Sequence, residues 1–475
     1  MCGIAHVTGM DNAAEIALAA LTAIQGRGHQ AAGVGVWQDG KITVSKAEGM
    51  IRNLQAKLKL KPLPGRIASA HTRYGTAGAN LLQNAHPFVS EDGCISVVHN
   101  GEILDADQYR PELEALGVTF QSTSDSEVIL RLLEKSSGEG IVGRVLSVLN
   151  RLTLAYAVVI IWDGYTIAAC DCRAVHPLHL GRFPGGGHIL ASEDAAIRTV
   201  GATPIKHVKP GHVIVISPDQ DIHSFWLDGD KSQTAHCSFN FVYTARPDSC
   251  LWGRSVTKVR EALGLELFDE LSTSDRLPKV DLIVPVLDSG RTATLSFAQA
   301  YGRQRILALL AQEGPAALEK VDLDFWLPFA FGINRAHDLR NFQVDTQGHR
   351  DQLIILKHGI DPAVVRGKRV AIGDDSIVRA TTSKRIVDML RAAGATEVHV
   401  LSFSPPVIAS CPYGGTETKD GSLLTAASRT IEEIQLFIGA DSLHYLSIPG
   451  FKKVVNAYGL GHCMGCFTNE FPSAA

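Results

Sequence analysis

The chain has 475 residues, with 45 Lys+Arg against 49 Asp+Glu for a net charge of −4, 45% hydrophobic and 20% charged residues, and a mean hydropathy of +0.07. That composition excludes a largely disordered chain, and without a basic run or patch it lacks the footprint of a nucleic-acid binder. The longest apolar run, Leu152–Trp162, falls far short of the roughly 20 residues needed to span a bilayer, and the opening MCGIAHVTG carries no signal-peptide pattern. A soluble cytoplasmic protein of two or three domains is expected, with neither nucleic acid nor membrane as partner.

The cysteines number nine, an odd count that argues against a disulfide framework, and Cys94, Cys170, Cys172 and Cys250 read as small buried hydrophobes. In chain order, the first two hundred residues predict short strands between Gly, Asn and Asp turns. Among them are Cys94–His99, Tyr156–Trp162 and, after the turn signal Lys209-Pro210-Gly211, His212–Ile216. Ala13–Gln25 and Ser126–Ser136 carry apolar residues at helical spacing, so this half reads as α+β. The polar stretch Pro218–Gln233 predicts a boundary, giving domains at 1–230 and 231–475. Beyond it the strand candidates Val280–Val286, Arg369–Ile372 and Glu397–Phe403 alternate with helical segments, the clearest being Ser383–Ala393, ended by Gly394. That alternation predicts an α/β domain with a parallel sheet of the doubly wound type.

Cysteine at position 2 has a chemical consequence. Removal of Met1 would leave one residue carrying both a nucleophilic thiol and an α-amine able to act as its base. Taken alone, such a cysteine is most often incidental. It is followed, however, by Gln25-Gly26-Arg27-Gly28, His71-Thr72-Arg73-Tyr74, Asn84-Ala85-His86-Pro87-Phe88, His99-Asn100-Gly101 and Ser124-Asp125-Ser126-Glu127. This ordered series resembles the glutamine amidotransferases whose glutaminase domain is an N-terminal-nucleophile hydrolase, an αββα sandwich. The resemblance implies Cys2 as nucleophile, with the Asn100 side-chain amide and the Gly101 N–H as donors to the tetrahedral oxyanion. It implies glutamine binding by Arg27, Gly28, Arg73 and Asp125, where Arg73 suits the carboxylate as a planar fork and Asp125 the ammonium. Gly26, His29, Gly75, Ala77 and Glu102 depart from the usual residues of that family, and none of them carries a catalytic role.

In the second half, Val370-Ala371-Ile372-Gly373-Asp374-Asp375-Ser376-Ile377-Val378-Arg379-Ala380-Thr381-Thr382-Ser383 runs from a strand through two carboxylates and a hydroxyl-rich loop into a helix. A helix N-terminus cradles phosphate, and paired acids at a strand's carboxyl end suit a ribose diol or Mg²⁺ near a diphosphate. The segment is similar to the phosphoribosyl diphosphate signature of type I phosphoribosyltransferases. With Phe241–Ser249, Asp288-Ser289-Gly290-Arg291, Ser404-Pro405-Pro406 and Ile438–Leu443, the likeness extends along nearly the whole chain to the amidophosphoribosyltransferase family. It implies glutamine-dependent transfer of ammonia to C1 of 5-phosphoribosyl diphosphate, giving 5-phosphoribosylamine, glutamate and diphosphate in the first committed step of purine synthesis. It also implies substrate binding by Asp374, Asp375, Ser376, Arg379, Ala380, Thr381, Thr382 and Ser383, and Mg²⁺ at Ser289, Asp374 and Asp375.

Cys463-Met464-Gly465-Cys466 alone could mean zinc, a redox pair or nothing. The resemblance joins it to Cys237 and Cys411 as the four ligands of a structural 4Fe–4S cluster, as in the family's iron–sulfur branch, with tetrahedral zinc the runner-up. The family further implies a homo-oligomer, a tetramer, and purine nucleotides as inhibitors. This chain departs most around Ile333-Asn334-Arg335-Ala336-His337-Asp338-Leu339-Arg340, where the family's lysine and tyrosine are replaced by Ile333 and Ala336. Leu287 replaces a proline, Gly373 a valine and Ala380 a glycine. A cation lost at 333 would slow departure of diphosphate. Two alternatives therefore stay open: a paralogous amidotransferase that delivers ammonia to another phosphorylated acceptor, or a degenerate cluster-binding regulatory protein.

Overall fold

The structure is a computed structural model that describes residues 1–75, 82–335, 358–415, 424–459 and 461–473. The amino-terminal half is two stacked, mostly antiparallel sheets. One runs, in spatial order, Thr203–His207, His179–Arg182, His188–Ala191, Gly3–Thr8, Ile67–Arg73, Ala31–Gln38 and Lys41–Glu48. The other runs Ile222–Trp226, His212–Ile216, Tyr165–Cys170, Tyr156–Trp162, Ile95–Gly101 and Phe88–Val89. Ile4, Val98, Ala157, Val159 and Ala168 fill the space between the sheets. Helix Ala13–Ala23 covers the outer face of the first sheet, and helices Asp125–Lys135 and Gly140–Leu149 cover the second. Because Tyr156–Trp162 is buried on both faces, it is a continuous apolar run rather than an alternating one. The result is the expected αββα sandwich.

The second half is built on four parallel strands in the order Leu282–Pro285, Arg369–Asp374, Glu397–Ser402 and Ser442–Tyr445. Helices Val256–Thr273, Arg291–Glu313 and Thr381–Ala392 pack on it, and the last begins two residues before the predicted Ser383. A separate parallel pair, His236–Cys237 with His462–Cys463, ties the carboxyl-terminal segment to the start of this half. The polar stretch 218–233 is not simply a linker. Its middle, Ile222–Trp226, pairs with His212–Ile216 as an edge strand, and Asp230 accepts a hydrogen bond from Arg173.

Ile333, which stands where the family has a lysine, is a core residue in this structure. It is 0% exposed, packed with Leu282, Val284, Val286 and Ile372 inside the core, and its strand Ile333–Arg335 pairs with His358–Ile360. A lysine there would point into hydrocarbon. Ala336 and the rest of the altered segment through Arg340 lie outside the described residues, as does Ala77.

Candidate active sites

Strand register sets the nucleophile. Gly3 pairs with Thr72 and Ile4 with His71, so Cys2 lies level with the end of strand Ile67–Arg73. The Tyr74 N–H donates to the Cys2 sulfur at 3.3 Å, and the thiol faces the Tyr74 carbonyl at 3.5 Å. Arg73 is buried and donates to the Asn84 carbonyl. Burial pushes its guanidinium pKa down, and charge on Cys2 and Asp125 opposes that shift, so the three groups form one electrostatic unit. Asp125 opens helix Asp125–Lys135 behind the N-cap Ser124, and its Oδ2 accepts from the Ile103 N–H at 2.9 Å. His99 Nδ1 lies 3.8 Å from the same carboxylate.

Asn100 and Gly101 close strand Ile95–Gly101 next to this unit. A Cβ on Gly101, whose φ is +139°, would sit 1.9 Å from the Ala155 carbonyl oxygen, so only glycine fits the turn. Asn100 is buried, with Nδ2 2.9 Å from Ser192 Oγ. Gly28 abuts Arg73 so closely that a Cβ would lie 2.8 Å from its backbone.

Arg27 takes a different part from the one expected. Its Nε donates to the Cys2 carbonyl at 3.0 Å, Nη1 pairs with Glu193 at 2.5 Å, and Nη2 donates to Asn240 Oδ1 at 3.0 Å. Both ionic side chains are almost wholly buried, at 1% and 0% exposure. With all three nitrogens committed, Arg27 braces the nucleophile's backbone and offers no fork to glutamine. Glu193 also accepts from the Arg246 N–H at 2.9 Å and the Ser249 hydroxyl at 2.5 Å. The brace therefore joins the sandwich to the Phe241–Ser249 segment of the second half. Nothing in the local sequence around Ser192, Glu193 or Asn240 signals these contacts.

A second constellation lies at the carboxyl ends of the parallel strands, where ligands bind in open α/β sheets. Asp374 ends strand Arg369–Asp374, and the Asp375 N–H donates to its Oδ1 at 2.9 Å. Asp375 accepts from the hydroxyls of Ser289 and Ser376. Burial, then the neighbouring charge of Asp375, pushes the Asp374 pKa well up, and burial raises that of Asp375 against the hydrogen bonds from Ser289 and Ser376. Ser289 precedes helix Arg291–Glu313, and Arg379 and Ala380 lead into helix Thr381–Ala392 with Thr381, Thr382 and Ser383 as its first turn. Ala380 is held at φ +57°, a left-handed conformation natural to the glycine it replaces.

The four cysteines named for a cluster lie in neighbouring segments without forming a metal-holding group. Cys237 and Cys463 are register partners in the parallel pair. A Cβ on Gly415 would touch Cys411 Sγ at 2.9 Å and come within 3.8 Å of Cys237 Sγ. Burial pushes all four thiols up, Cys463 to about 11, and the charges of Cys237, Cys411 and Cys463 add to that of Cys466. Among the described residues, no three or more His, Cys, Asp or Glu side chains are grouped to hold a metal ion. No helix among them is long and apolar enough to cross a membrane.

Residues 71–199 match the glutamine amidotransferase domain family. The amidophosphoribosyltransferase of Bacillus subtilis (strain 168) is 33% identical over 480 residues, covering 99% of this chain and 94% of the relative. That of Archaeoglobus fulgidus is 35% identical, covering 99% and 98%. Among solved structures, the B. subtilis glutamine phosphoribosylpyrophosphate amidotransferase complexed with ADP and GMP superposes with a TM-score of 0.85 at 33% identity, over 99% of this chain and 97% of that one. Alike from end to end in sequence and in both halves of the fold, the chain belongs to the amidophosphoribosyltransferase family of enzymes.

Proposed function

We propose that the chain hydrolyses glutamine at Cys2 and passes the ammonia to C1 of 5-phosphoribosyl diphosphate, releasing glutamate and diphosphate and forming 5-phosphoribosylamine for purine synthesis. The observation that carries this reading is the end-to-end likeness, with the side chains named for glutamine hydrolysis and those of the Asp374–Ser383 signature present in the chain. The division into a glutaminase domain at 1–230 and a phosphoribosyltransferase domain at 231–475 belongs to the same proposal, as do cytoplasmic location, a homo-oligomeric assembly and inhibition by purine nucleotides.

At the first site Arg73 and Asp125 hold the carboxylate and ammonium of glutamine, while Arg27 fixes the Cys2 backbone. The Cys2 thiol gives its proton to the α-amine freed by loss of Met1, and the resulting thiolate forms a C–S bond to the side-chain carbonyl carbon. The negative oxygen that results is met by the Asn100 amide and the Gly101 N–H. Collapse breaks the C–N bond, the amine returns the proton to the leaving ammonia, and water cleaves the thioester to glutamate. At the second site Asp374 and Asp375 take the ribose hydroxyls, and the free N–H groups of Thr381–Ser383 take the 5-phosphate. Ammonia then forms the C1–N bond as diphosphate leaves. An enclosed path between the sites keeps ammonia unprotonated and undiluted.

Mg²⁺ suits Asp374, Asp375 and Ser289, because burial raises the pKa of both carboxylates and the charge of Asp375 raises that of Asp374 further, a cost a cation relieves, and this ion asks for few protein ligands when phosphates supply the rest. It would neutralise charge on the diphosphate. A 4Fe–4S cluster suits Cys237, Cys411, Cys463 and Cys466. Four thiols whose pKa values are raised by desolvation resist ionising without a cation, and thiolates are the ligands such a cluster would take. Its part would be structural, clipping the carboxyl-terminal segment to the domain.

The test is glutamine-dependent and ammonia-dependent diphosphate release from phosphoribosyl diphosphate. Cys2→Ala, or an uncleaved Met1, should abolish the first and spare the second. Diphosphate release from neither nitrogen source refutes the transfer reading. A wild-type chain that hydrolyses glutamine yet binds phosphoribosyl diphosphate without turning it over favours a different acceptor.

A further inference from the structure

Three buried side chains around the oxyanion site have a hydrogen count that closes in only one way. His71 Nε2 lies 3.1 Å from the His99 carbonyl oxygen, which can only accept, so Nε2 carries the ring's proton. Burial pushes the His71 pKa down to about 3, so the ring is neutral at working pH and its Nδ1 bears a lone pair. The Asn100 side chain faces this ring. Both His71 Nδ1 and Asn100 Oδ1 are fully buried without a hydrogen-bond partner. Across the amide, Ser192 Oγ accepts from the Ile4 N–H at 2.9 Å and from Asn100 Nδ2 at 2.9 Å. Two acceptors, Oδ1 and Nδ1, thus share a side with no hydrogen, while the Ser192 hydroxyl hydrogen has no acceptor there.

We propose that Ser192 and His71 are positioning residues for the oxyanion amide, and that in the working enzyme the Asn100 amide is turned by 180°, its Oδ1 accepting from the Ser192 hydroxyl and its Nδ2 donating to His71 Nδ1. The exchange moves no heavy atom appreciably and satisfies every group. Ser192 accepts from Ile4 and donates to Asn100, and His71 accepts from Asn100 and donates to His99. One amide hydrogen then remains without a protein acceptor. That hydrogen is left for the oxygen that becomes negative when Cys2 attacks. The serine polarises the amide through its carbonyl, and the neutral histidine forbids the opposite orientation. Both residues act through Asn100 and neither touches glutamine. The inference rests on the glutaminase reading above.

The test compares wild type, Ser192→Ala and Ser192→Thr. In Ser192→Ala, kcat for glutamine hydrolysis should fall roughly ten- to a hundredfold, with KM changed less than about twofold, because the lost contact matters only once charge develops on oxygen. Affinity for glutamate γ-semialdehyde, which forms a tetrahedral thiohemiacetal with Cys2, should fall in parallel. Affinity for glutamate, and the rate at which iodoacetamide alkylates Cys2 with loss of iodide, should stay within about twofold, since neither develops an oxyanion. Ser192→Thr retains the hydroxyl and should recover most of kcat. Undiminished kcat in Ser192→Ala overturns the inference alone. So does a fall in which glutamate affinity and alkylation decline together with kcat, since that marks a displaced nucleophile. Absence of glutamine hydrolysis by wild type overturns the glutaminase reading beneath it.

Discussion

Replacing Arg27 by Met tests whether the brace behind Cys2 is the structural keystone its burial implies. The substitution keeps the volume and removes the charge. It leaves Glu193, at 0% exposure, with hydrogen bonds from the Arg246 N–H and the Ser249 hydroxyl and the more distant charges of Arg246 and Arg260 to answer its negative charge. Stranding one member of a buried pair costs about 3–5 kcal/mol, and the contacts to the Cys2 carbonyl and Asn240 are lost as well, so the upper end is expected. Glu193→Gln strands Arg27 in the same way but keeps an oxygen for Arg246, so about 3 kcal/mol is expected. With both changes no charge is stranded, and the double variant should be more stable than the sum of the single losses by about 2 kcal/mol or more. Urea unfolding with a common slope reads these differences as shifts in midpoint. Glutamine kcat should fall in both single variants, because Arg27 Nε anchors the backbone that carries the nucleophile. Single losses that simply add, within about 0.5 kcal/mol, refute the pairing argument.

Acid should destabilise the fold through histidines buried in neutral form. His6, His71 and His176 are pushed by burial down to about 3, below their unfolded value near 6.5. The unfolded chain therefore binds more protons between these limits, and stability falls as pH drops from 6.5 toward 3. Unfolding at pH 5 should take up about three protons on their account, and His6→Gln should lower the uptake by about one. Ala380→Gly should stabilise by about 1 kcal/mol, since it removes the cost of φ +57° at a residue with a Cβ. Gly373→Val, although it restores the family residue, should destabilise, because its Cβ would meet Thr294 Oγ1 at 2.2 Å and the Phe403 ring at 2.7 Å; thermal unfolding checks both. Ile333→Lys should lower the yield of folded protein and leave kcat no higher, because it places an ammonium among Leu282, Val284 and Ile372. Anaerobically isolated protein should contain iron and sulfide in near-equal amounts, and removing them should expose the carboxyl-terminal segment to protease; stoichiometric zinc without iron refutes the cluster.

The parts of the fold legible in the sequence are those whose burial is uniform along an element. Tyr156–Trp162 and His212–Ile216 form strands with the predicted limits, because each is apolar on both faces and bounded by turn residues. Helix Asp125–Lys135 begins one residue before its predicted start, behind a serine cap. Ile222–Trp226 escaped notice because an edge strand whose side chains are mostly exposed carries no alternating signal. Ile333 misled for a related reason. The exchange of a charged family residue for isoleucine is visible in the sequence, but the hydrophobic floor beneath it comes from strands 50 to 40 residues away on either side.

The site divides along the same physical line. Cys2, Arg73, Asn100, Gly101 and Asp125 stand at the ends of strands or at the start of a helix, where a short motif fixes both the residue and its setting. Glu193, Ser192 and Asn240 act through single contacts across large separations: 166 residues from Arg27 to Glu193, 92 from Asn100 to Ser192 and 213 from Arg27 to Asn240. No local spacing can encode such a contact, since either partner alone reads as an ordinary polar residue near a turn. Arg27 shows the consequence. Its motif identifies the residue type at the site, but the direction of its guanidinium is decided by a carboxylate that must be neutralised because it is buried. A buried Glu193 without Arg27 would be expensive. The same charge that closes the space behind Cys2 is thereby committed to Glu193, the Cys2 carbonyl and Asn240.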